Sequence, residues 1–271
     1  MNPSFGLIIV GDEILSGKRQ DKHLPRIAEL LAERGLSLSW AHVVGDDRAR
    51  ITSVLREAFA GSEPVFCCGG IGATPDDHTR QCAAAALGVE LELHPQARLL
   101  IEERMRDTAA EQGVPFEPER PDNVHRYNMG VFPLGASIIP NPYNKIPGFS
   151  CRGPGGADVH FVPGFPVMAW PMLEWVLDQR YAGLHQRGHW REHSVIVMGS
   201  MEATLTPLME RLEASHAVKV FSLPSVDHPT YGRHIELGVK GQAEAVEAAF
   251  SELLDGLRRH GAELGPELVR S

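Results

Sequence analysis

The sequence predicts a three-layer α/β/α fold around a mainly parallel sheet, followed by a small C-terminal α+β domain. Apolar strand-like runs and amphipathic helix-like segments alternate three times within residues 5–87. That order is typical of parallel strands joined by right-handed helical crossovers. The chain has 271 residues, of which 43% are hydrophobic, and this suffices for a full core without disulfide or metal support. A polar connector after residue 181 divides the prediction into domains 1–181 and 190–265.

Each element of the first domain has its own signal. The run FGLIIV is continuously apolar, which is typical of a strand buried on both faces. The later helices show apolar residues at helical spacing, and the strands are short apolar runs between turns. The predicted order is strand 5–10, helix 21–34, strand 36–44, helix 47–59, strand 64–68, helix 80–87, helix 95–110, strands 136–139 and 159–162, and helix 167–181.

The second domain is predicted to be a small antiparallel layer. Its order is strand 194–198, helix 202–214, strand 217–221, strand 233–239 and helix 242–260. This βαββα order is consistent with a split βαβ unit.

Composition excludes several classes of partner. The formal net charge is −9 and no long basic run is present, so neither nucleic acid nor a membrane surface is an expected partner. No stretch approaches the ~20 apolar residues that a membrane-spanning helix needs. The cysteines show neither a CxxC pair nor zinc spacing, which is typical of free thiols in a reducing compartment. The sequence therefore predicts a cytoplasmic protein.

The loop CCGGIGATPDDHT, at residues 67–79, is the most informative segment. It follows a predicted strand and precedes a helix, and its glycines allow the backbone to approach a ligand closely. The amide groups at the start of the helix favour an anion such as phosphate. The candidate phosphate-binding residues are Gly69, Gly70, Gly72 and Thr74.

Two carboxylates follow directly, at Asp76 and Asp77. Carboxylates repel phosphate unless a hard cation such as Mg²⁺ lies between them, so the loop predicts a phosphorylated ligand with a divalent metal. The alternative is an ordinary turn in which Asp76 or Asp77 caps the helix.

Other loops supply further candidates at the carboxyl ends of the strands, where ligands bind in such sheets. Asp12 and Glu13 follow the first strand and can bind a ligand hydroxyl, an ammonium group or a metal, or lie in a solvated turn. Asp46 or Asp47, in contrast, is expected to cap the second helix.

The Gly- and Pro-rich loops further along the chain offer donors and tight turns. Asn141 and Lys145 in NPYNKIPGF can donate to phosphate or ribose oxygens, with Gly148 in the turn that follows, or the segment is a structural loop. Gly164 in FVPGFP either approaches a ligand or begins the helix.

Five motifs in order carry a family resemblance: GDEILSG, VVGDD, GGIGATPDDHT, NPYNKIPGF and FVPGFPVM. Over about residues 1–180 the set resembles the molybdopterin-binding (MoaB/Mog-like) domain family. It is most similar to the branch found in competence/damage-inducible protein A and in the N-terminal part of eukaryotic FAD synthases. Cys68 and Ala73 depart from the usual residues of those motifs.

The resemblance implies a function as well as a fold. In that branch the domain is similar to metal-dependent pyrophosphatases that split ADP-ribose or FAD. The glycines of the loop would then hold the phosphates, Asp76 and Asp77 would be catalytic and bind the metal, and Asp12 and Glu13 would close the pocket.

Two alternatives stay open, the first from the same resemblance and the second from the presence of a second domain. One is a protein that binds molybdopterin or adenylylates its phosphate during molybdenum cofactor biosynthesis. The other is a non-catalytic nucleotide-binding oligomer. Relatives are commonly homo-oligomers, so a dimer or trimer is expected.

Overall fold

The structure is a computed structural model that describes residues 4–185 and 190–270. The chain divides into two compact units, with the boundary after His185. Within the described residues, no helix combines the length and the apolarity needed to cross a bilayer.

Strands and helices alternate at the start of the first unit, as the hydrophobic pattern predicts. The strands described within residues 4–185 are Ser4–Val10 (β1), Ser37–Val44 (β2), Val65–Cys68 (β3), Leu91–Leu93 (β4), Val131–Pro133 (β5), Ser137–Ile139 (β6), Gly148–Arg152 (β7) and Asp158–Val162 (β8). The α-helices are Asp12–Leu15 (α1), His23–Ala32 (α2), Arg48–Ala60 (α3), Thr79–Leu87 (α4), Pro95–Glu111 (α5), Pro121–Arg126 (α6) and Pro166–Arg180 (α7).

The central sheet is mixed but mainly parallel. Within residues 4–185 its strand order is β2-β1-β3-β8-β7-β6. The pairs β2/β1, β1/β3 and β3/β8 are parallel, whereas β8/β7 and β7/β6 are antiparallel. The carboxyl ends of β1, β2, β3 and β8 therefore meet at one edge of the sheet, which is where the predicted loops begin.

Helices cover both faces of this sheet. Along β1, Phe5, Leu7 and Ile9 pack in one apolar cluster with residues of α2 and α7. Ile8 and Val10 point to the opposite face and pack with residues of α3 and α4. Because successive strand side chains alternate between faces, an uninterrupted apolar run is what a doubly covered strand needs. The predicted three-layer α/β/α fold is confirmed.

Three strands of this unit were missed from the sequence. Strand β7 begins at Gly148, inside the segment interpreted as a loop, and β4 and β5 form a separate antiparallel pair. These strands have three to five residues each, and β7 and β5 contain Gly or Pro. Runs this short carry little periodicity, so pairing with neighbouring strands decides their conformation.

Ser150, His160 and Tyr181 form a buried polar chain in the first unit. The Ser150 hydroxyl lies 2.8 Å from His160 Nδ1, and the Tyr181 hydroxyl lies 2.7 Å from His160 Nε2. Burial lowers the pKa of His160 to about 3, so the imidazole is neutral at pH 7. One ring nitrogen therefore donates and the other accepts, and each has a partner.

Tyr181→Phe is expected to lower the free energy of unfolding by about 1–3 kcal/mol, because it leaves His160 Nε2 buried without a partner. Urea denaturation measures this change. Tyr143→Phe is the matched control, since the Tyr143 side chain is 62% exposed. Equal stability of Tyr181→Phe and Tyr143→Phe would show that the buried chain contributes nothing.

The second unit is a four-stranded antiparallel sheet with two helices, within residues 190–270. Its elements are strand Trp190–Met198 (β9), helix Glu202–Ser215 (α8), strands Val218–His228 (β10) and Gly232–Gln242 (β11), helix Ala243–Arg259 (α9) and strand Glu263–Arg270 (β12). The sheet order is β10-β11-β9-β12, which is the order of a βαββαβ split unit. The helices and the apolar face of the sheet share one core.

The last strand, β12, was not predicted. Its sequence ELGPELVR contains Gly265 and Pro266, and the pairing with β9 shifts between Leu264 and Glu267. A β-bulge accommodates Gly and Pro in an edge strand, and it also breaks the alternation that a sequence pattern relies on.

Candidate functional site

The loop between β3 and α4 has a backbone that glycine alone adopts easily. Gly69 and Gly70 have φ angles of 108° and 67°. A Cβ atom on Gly69 would lie 2.3 Å from the Val10 carbonyl oxygen, and one on Gly70 would lie 2.1 Å from Thr79 Oγ1. The loop therefore packs against the end of β1 and the start of α4 at distances that exclude any side chain.

Arg80 binds the backbone of the same loop through its buried guanidinium. Its guanidinium donates to the carbonyl oxygens of Ile71 and Gly72, at 2.9 and 2.6 Å. The residue is 4% exposed, and burial lowers its pKa to about 10, so it stays charged at pH 7. Arg80 was not singled out from the sequence, because an arginine in the first turn of a helix gives no sign that it points inward.

Asp76 and Asp77 lie on the exposed side of the loop and have different partners. Asp77 accepts hydrogen bonds from the Thr74 amide at 2.8 Å and the Thr74 hydroxyl at 2.6 Å. Asp76 also lies within hydrogen-bond distance of that hydroxyl. Neither carboxylate caps α4, whose N-cap residue is His78 and has no capping side chain. The alternative that they serve as helix caps is therefore wrong.

A reciprocal pair joins the loops after β1 and β2. The Asp12 amide donates to Asp46 Oδ2 at 3.0 Å, and the Asp46 amide donates to Asp12 Oδ1 at 3.1 Å. Asp47, not Asp46, caps α3 by accepting from the Arg50 amide at 2.7 Å. The expectation that either aspartate is simply a cap holds for Asp47 only.

These loops surround a cavity of about 580 Å³, within the ~300–1,000 Å³ typical of small-molecule sites. Its lining includes the carboxylate residues Glu13, Asp46, Asp76 and Asp77, called the acidic wall below, and the loop of residues 69–78 between β3 and α4, called the Gly loop. It also includes a set of apolar residues, called the apolar wall, which are Met129, Ile146, Pro147, Pro163, Phe165 and Met168. The cavity thus offers polar groups to a phosphate and a cation, and apolar groups to a planar ring.

Most of the predicted site residues reach this cavity. It brings together Glu13, Gly69, Gly70, Gly72, Thr74, Asp76, Asp77, Asn141 and Gly164. Asn141 also braces its own loop, since its amide donates to the Asn144 side chain and to the Ile146 carbonyl oxygen.

The structure does not bring Asp12, Lys145 or Gly148 to the cavity wall. Lys145 Nζ lies 2.6 Å from a carboxylate oxygen of Glu103 and 2.6 Å from one of Asp107, both on α5. Gly148 is buried in β7, where a Cβ atom would lie 2.3 Å from the Phe161 carbonyl oxygen. Asp12 turns toward Asp46, so its role here is to position that loop.

Asp46 and Asp76 have pKa values shifted in opposite directions. Burial raises the pKa of Asp46, and the nearby carboxylates of Asp12, Glu13 and Asp76 add to the rise. The hydrogen bond from Thr74 lowers the pKa of Asp76. The two carboxylates can therefore take different roles. Asp46 is the better proton acceptor of the two, and Asp76 stays ionised over a wider pH range.

Comparison with known proteins shows which family the first unit belongs to. A family model described as a probable molybdopterin binding domain matches residues 6–182. The chain belongs to this molybdopterin-binding domain family. The match spans β1 to α7 and includes every loop that lines the cavity.

Individual relatives place the chain near the CinA-like members of the family. A CinA-like protein of Citrifermentans bemidjiense is 34% identical over 206 residues, which are 75% of this chain and 46% of that protein. A Pyrobaculum calidifontis protein is 30% identical over 260 residues, which are 93% of this chain and 95% of that protein. The chain thus spans about half the length of the CinA-like relatives and nearly all of the archaeal one.

A solved structure supports the family fold. The crystal structure of CinA from Thermoplasma acidophilum, a protein of unknown function, superposes with a TM-score of 0.55 at 27% identity. The superposition covers 65% of this chain and 97% of that one. The family fold is therefore shared by the first unit.

The cavity of this chain also includes residues that were not predicted from the sequence to form the site. They are Arg19, Asp46, Met129, Asn144, Phe165 and Met168. For Asp46 a signal existed, since it directly follows the second parallel strand and acids at such ends tend to face ligands. For the methionines and Phe165 no chemical motif distinguishes a cavity wall from a core.

A divalent cation is compatible with the acidic wall of this family member. Among the described residues, no group of three or more His, Cys, Asp or Glu side chains is arranged to hold a metal ion unaided. Mg²⁺, however, commonly uses one or two carboxylates and completes its shell with water and substrate phosphates. Asp76 and Asp77, in the Gly loop, fit that description.

Arg19 is the one cationic side chain on the cavity wall, among the residues that the structure describes. Arg19→Ala is expected to weaken the binding of inorganic pyrophosphate with Mg²⁺ about tenfold, because a guanidinium contact to phosphate is lost. Isothermal titration calorimetry measures the Kd. Arg56→Ala, an exposed arginine on α3 outside the cavity, is the control. Unchanged affinity in Arg19→Ala would contradict a phosphate contact.

Proposed function

We propose that the cavity binds a diphosphate-linked nucleotide, such as ADP-ribose or FAD, together with a divalent cation, and hydrolyses the diphosphate to two monophosphates. The observation that carries the proposal is the meeting of the Gly loop with the carboxylates of Glu13, Asp46, Asp76 and Asp77 in one cavity. Several carboxylates would repel a phosphate that binds alone. A site for a phosphate and a cation, in contrast, requires carboxylates to bind the cation.

Each group of the acidic wall then has a role. Amide groups of the Gly loop hold the phosphoryl oxygens. Asp76 and Asp77 hold the cation, which when bound neutralises the diphosphate and lowers the pKa of nearby water. Asp46 accepts the proton of the attacking water, since burial and the neighbouring carboxylates raise its pKa and so favour proton uptake.

The bonds and protons of this reaction balance without a further reactant. The water oxygen bonds to one phosphorus, and the bond from that phosphorus to the bridging oxygen breaks. The bridging oxygen leaves on the second phosphate, and the proton passes from water to the Asp46 carboxylate. Two monophosphates result, with no oxidant or reductant needed.

The apolar wall supports a ligand that carries a ring. Phe165 is 56% exposed although it is a large aromatic residue, and it lines the cavity with Pro163 and Met168. An exposed aromatic face beside prolines and a methionine suits the stacking of a planar heterocycle. Adenine and the flavin ring both meet this description.

The test is a substrate and metal screen. The purified chain is incubated with ADP-ribose or FAD in the presence of Mg²⁺, Mn²⁺ or Co²⁺, and the products are separated by chromatography. We expect AMP with ribose 5-phosphate, or AMP with FMN, and no cleavage in the presence of EDTA. No product with any ion, from protein shown to be folded by circular dichroism, would contradict the proposal.

Molybdopterin is a second candidate ligand, and the family match favours it. A pterin ring with a terminal phosphate suits the same two walls, and binding or adenylylation would need no hydrolysis. Titration with molybdopterin, followed by pterin fluorescence, separates the two candidates. Tight pterin binding, with ADP-ribose and FAD left intact, would support the molybdopterin alternative over the hydrolase.

A further inference from the structure

A second cavity of about 230 Å³ adjoins the acidic one. The two share Met129 and Ile146, so these residues lie where the cavities meet. The second cavity is also lined by residues of α5 and the end of α6, among them Arg104, Thr108 and Arg126. No acidic side chain lines it among the described residues, in contrast to its neighbour.

The two arginines of this second cavity differ in their partners. Arg104 donates to Glu111 at 2.9 Å, so its charge is matched within α5. The Arg126 guanidinium has no hydrogen-bond or ion-pair partner within residues 4–185 and 190–270. It lies in the last turn of α6, where the helix dipole favours a cation. The helix dipole explains why a positive residue is favoured at this position. It provides no hydrogen-bond acceptor for the N–H groups of the Arg126 guanidinium.

The segment that carries Arg126 is hydrogen-bonded to the Gly loop. His125 Nε2 lies 3.2 Å from the Ala73 carbonyl oxygen, and Asn128 lies 3.2 Å from the other nitrogen of the same imidazole. Met129, in the 3-10 helix Tyr127–Gly130, then reaches both cavities. Arg126 is therefore held beside the Gly loop by its neighbours in the chain.

We propose that Arg126 binds a second phosphate of the ligand, remote from the diphosphate held by the Gly loop. The inference rests on the proposed function and adds to it a preference for nucleotide diphosphates that carry a further phosphate monoester. A guanidinium with free N–H groups suits the oxygens of a phosphate monoester. The acidic wall would repel such a group, whereas the neighbouring cavity offers it a cation without a competing carboxylate.

The experiment compares ADP-ribose with ADP-ribose 2′-phosphate as probes. Their affinities for the full chain are measured by calorimetry with Ca²⁺ at low ionic strength, and hydrolysis of both is measured with Mg²⁺. We expect the 2′-phosphate to bind about tenfold more tightly, as one charge-assisted contact allows. Arg126→Ala should remove this preference while leaving the affinity for ADP-ribose unchanged, and Arg126→Lys should keep part of it.

Arg120→Ala is the matched control. Arg120 is a nearby exposed arginine whose guanidinium pairs with Asp122, and it lines neither cavity. The preference for the 2′-phosphate should persist in this variant.

The possible results separate this inference from the proposed function. Hydrolysis of ADP-ribose with equal affinity for both probes would overturn the role of Arg126 and leave the hydrolase standing. An Arg126-dependent preference without hydrolysis would support the second phosphate site and contradict the hydrolase. A preference that persists in Arg126→Ala, or no binding of either probe, would overturn the inference.

Discussion

Asp76→Asn is expected to lower kcat/KM for ADP-ribose about a hundredfold, because the amide keeps the shape of the side chain but cannot hold a divalent cation as an anion does. The variant should also bind Mn²⁺ more weakly in the presence of a diphosphate, which electron paramagnetic resonance measures independently of turnover. Asp76 is preferable to Asp77 for this test, since Asp77 accepts two hydrogen bonds that shape the loop.

The control for Asp76→Asn is Asp255→Asn, which removes one negative charge from an exposed position on α9. It should leave both turnover and Mn²⁺ binding as in the wild type. If Asp76→Asn retains full activity and full Mn²⁺ affinity, the carboxylate has no part in binding a cation.

Gly69→Ala is expected to lower the free energy of unfolding by about 2–4 kcal/mol, because it adds steric overlap to an unfavourable backbone conformation. The Cβ atom would lie 2.3 Å from the Val10 carbonyl oxygen, at a φ of 108°. A backbone shift that relieves this overlap would also displace the amide groups of the loop. Binding of ADP-ribose should therefore be lost even at temperatures where the variant is still folded.

Gly17→Ala separates the cost of the steric overlap from the cost of the backbone conformation. Gly17 has a φ of 70°, but a Cβ atom there would meet nothing within 4 Å. Its cost should be about 1 kcal/mol, which reflects the backbone conformation alone. Thermal denaturation of both variants gives the comparison, and equal costs would mean that the contact between Gly69 and Val10 is unimportant.

The sequence is a good guide to what depends on long hydrophobic patterns. The run from Phe5 to Val10 predicts a strand covered on both faces, and α9 follows its amphipathic pattern through seventeen residues. Strand β7 was missed because it has only five residues and begins at a glycine, and β12 because Gly and Pro interrupt it. The neighbouring strands of each sheet decide the conformation of such segments.

The candidate site was predictable only where strand ends and glycine turns determine its position. The glycines of the β3–α4 loop and the acids after β1 and β3 follow from strand ends and turns. Which of two neighbouring aspartates caps α3 depends on a single hydrogen bond, from the Arg50 amide to Asp47. The direction of Lys145 depends on two acids of α5 about forty residues earlier in the chain. No local pattern contains that information.

The contacts of Arg80 bear on how much a ligand can gain from this loop. Ordering a flexible backbone costs about 1–2 kcal/mol for each residue that is fixed. Because the guanidinium already fixes the carbonyl groups of Ile71 and Gly72, that entropy is lost when the chain folds rather than when a ligand arrives. The loop is therefore preorganised. A ligand that binds it does not have to offset the entropy cost of ordering the loop, so its affinity is higher than for a flexible loop with the same contacts.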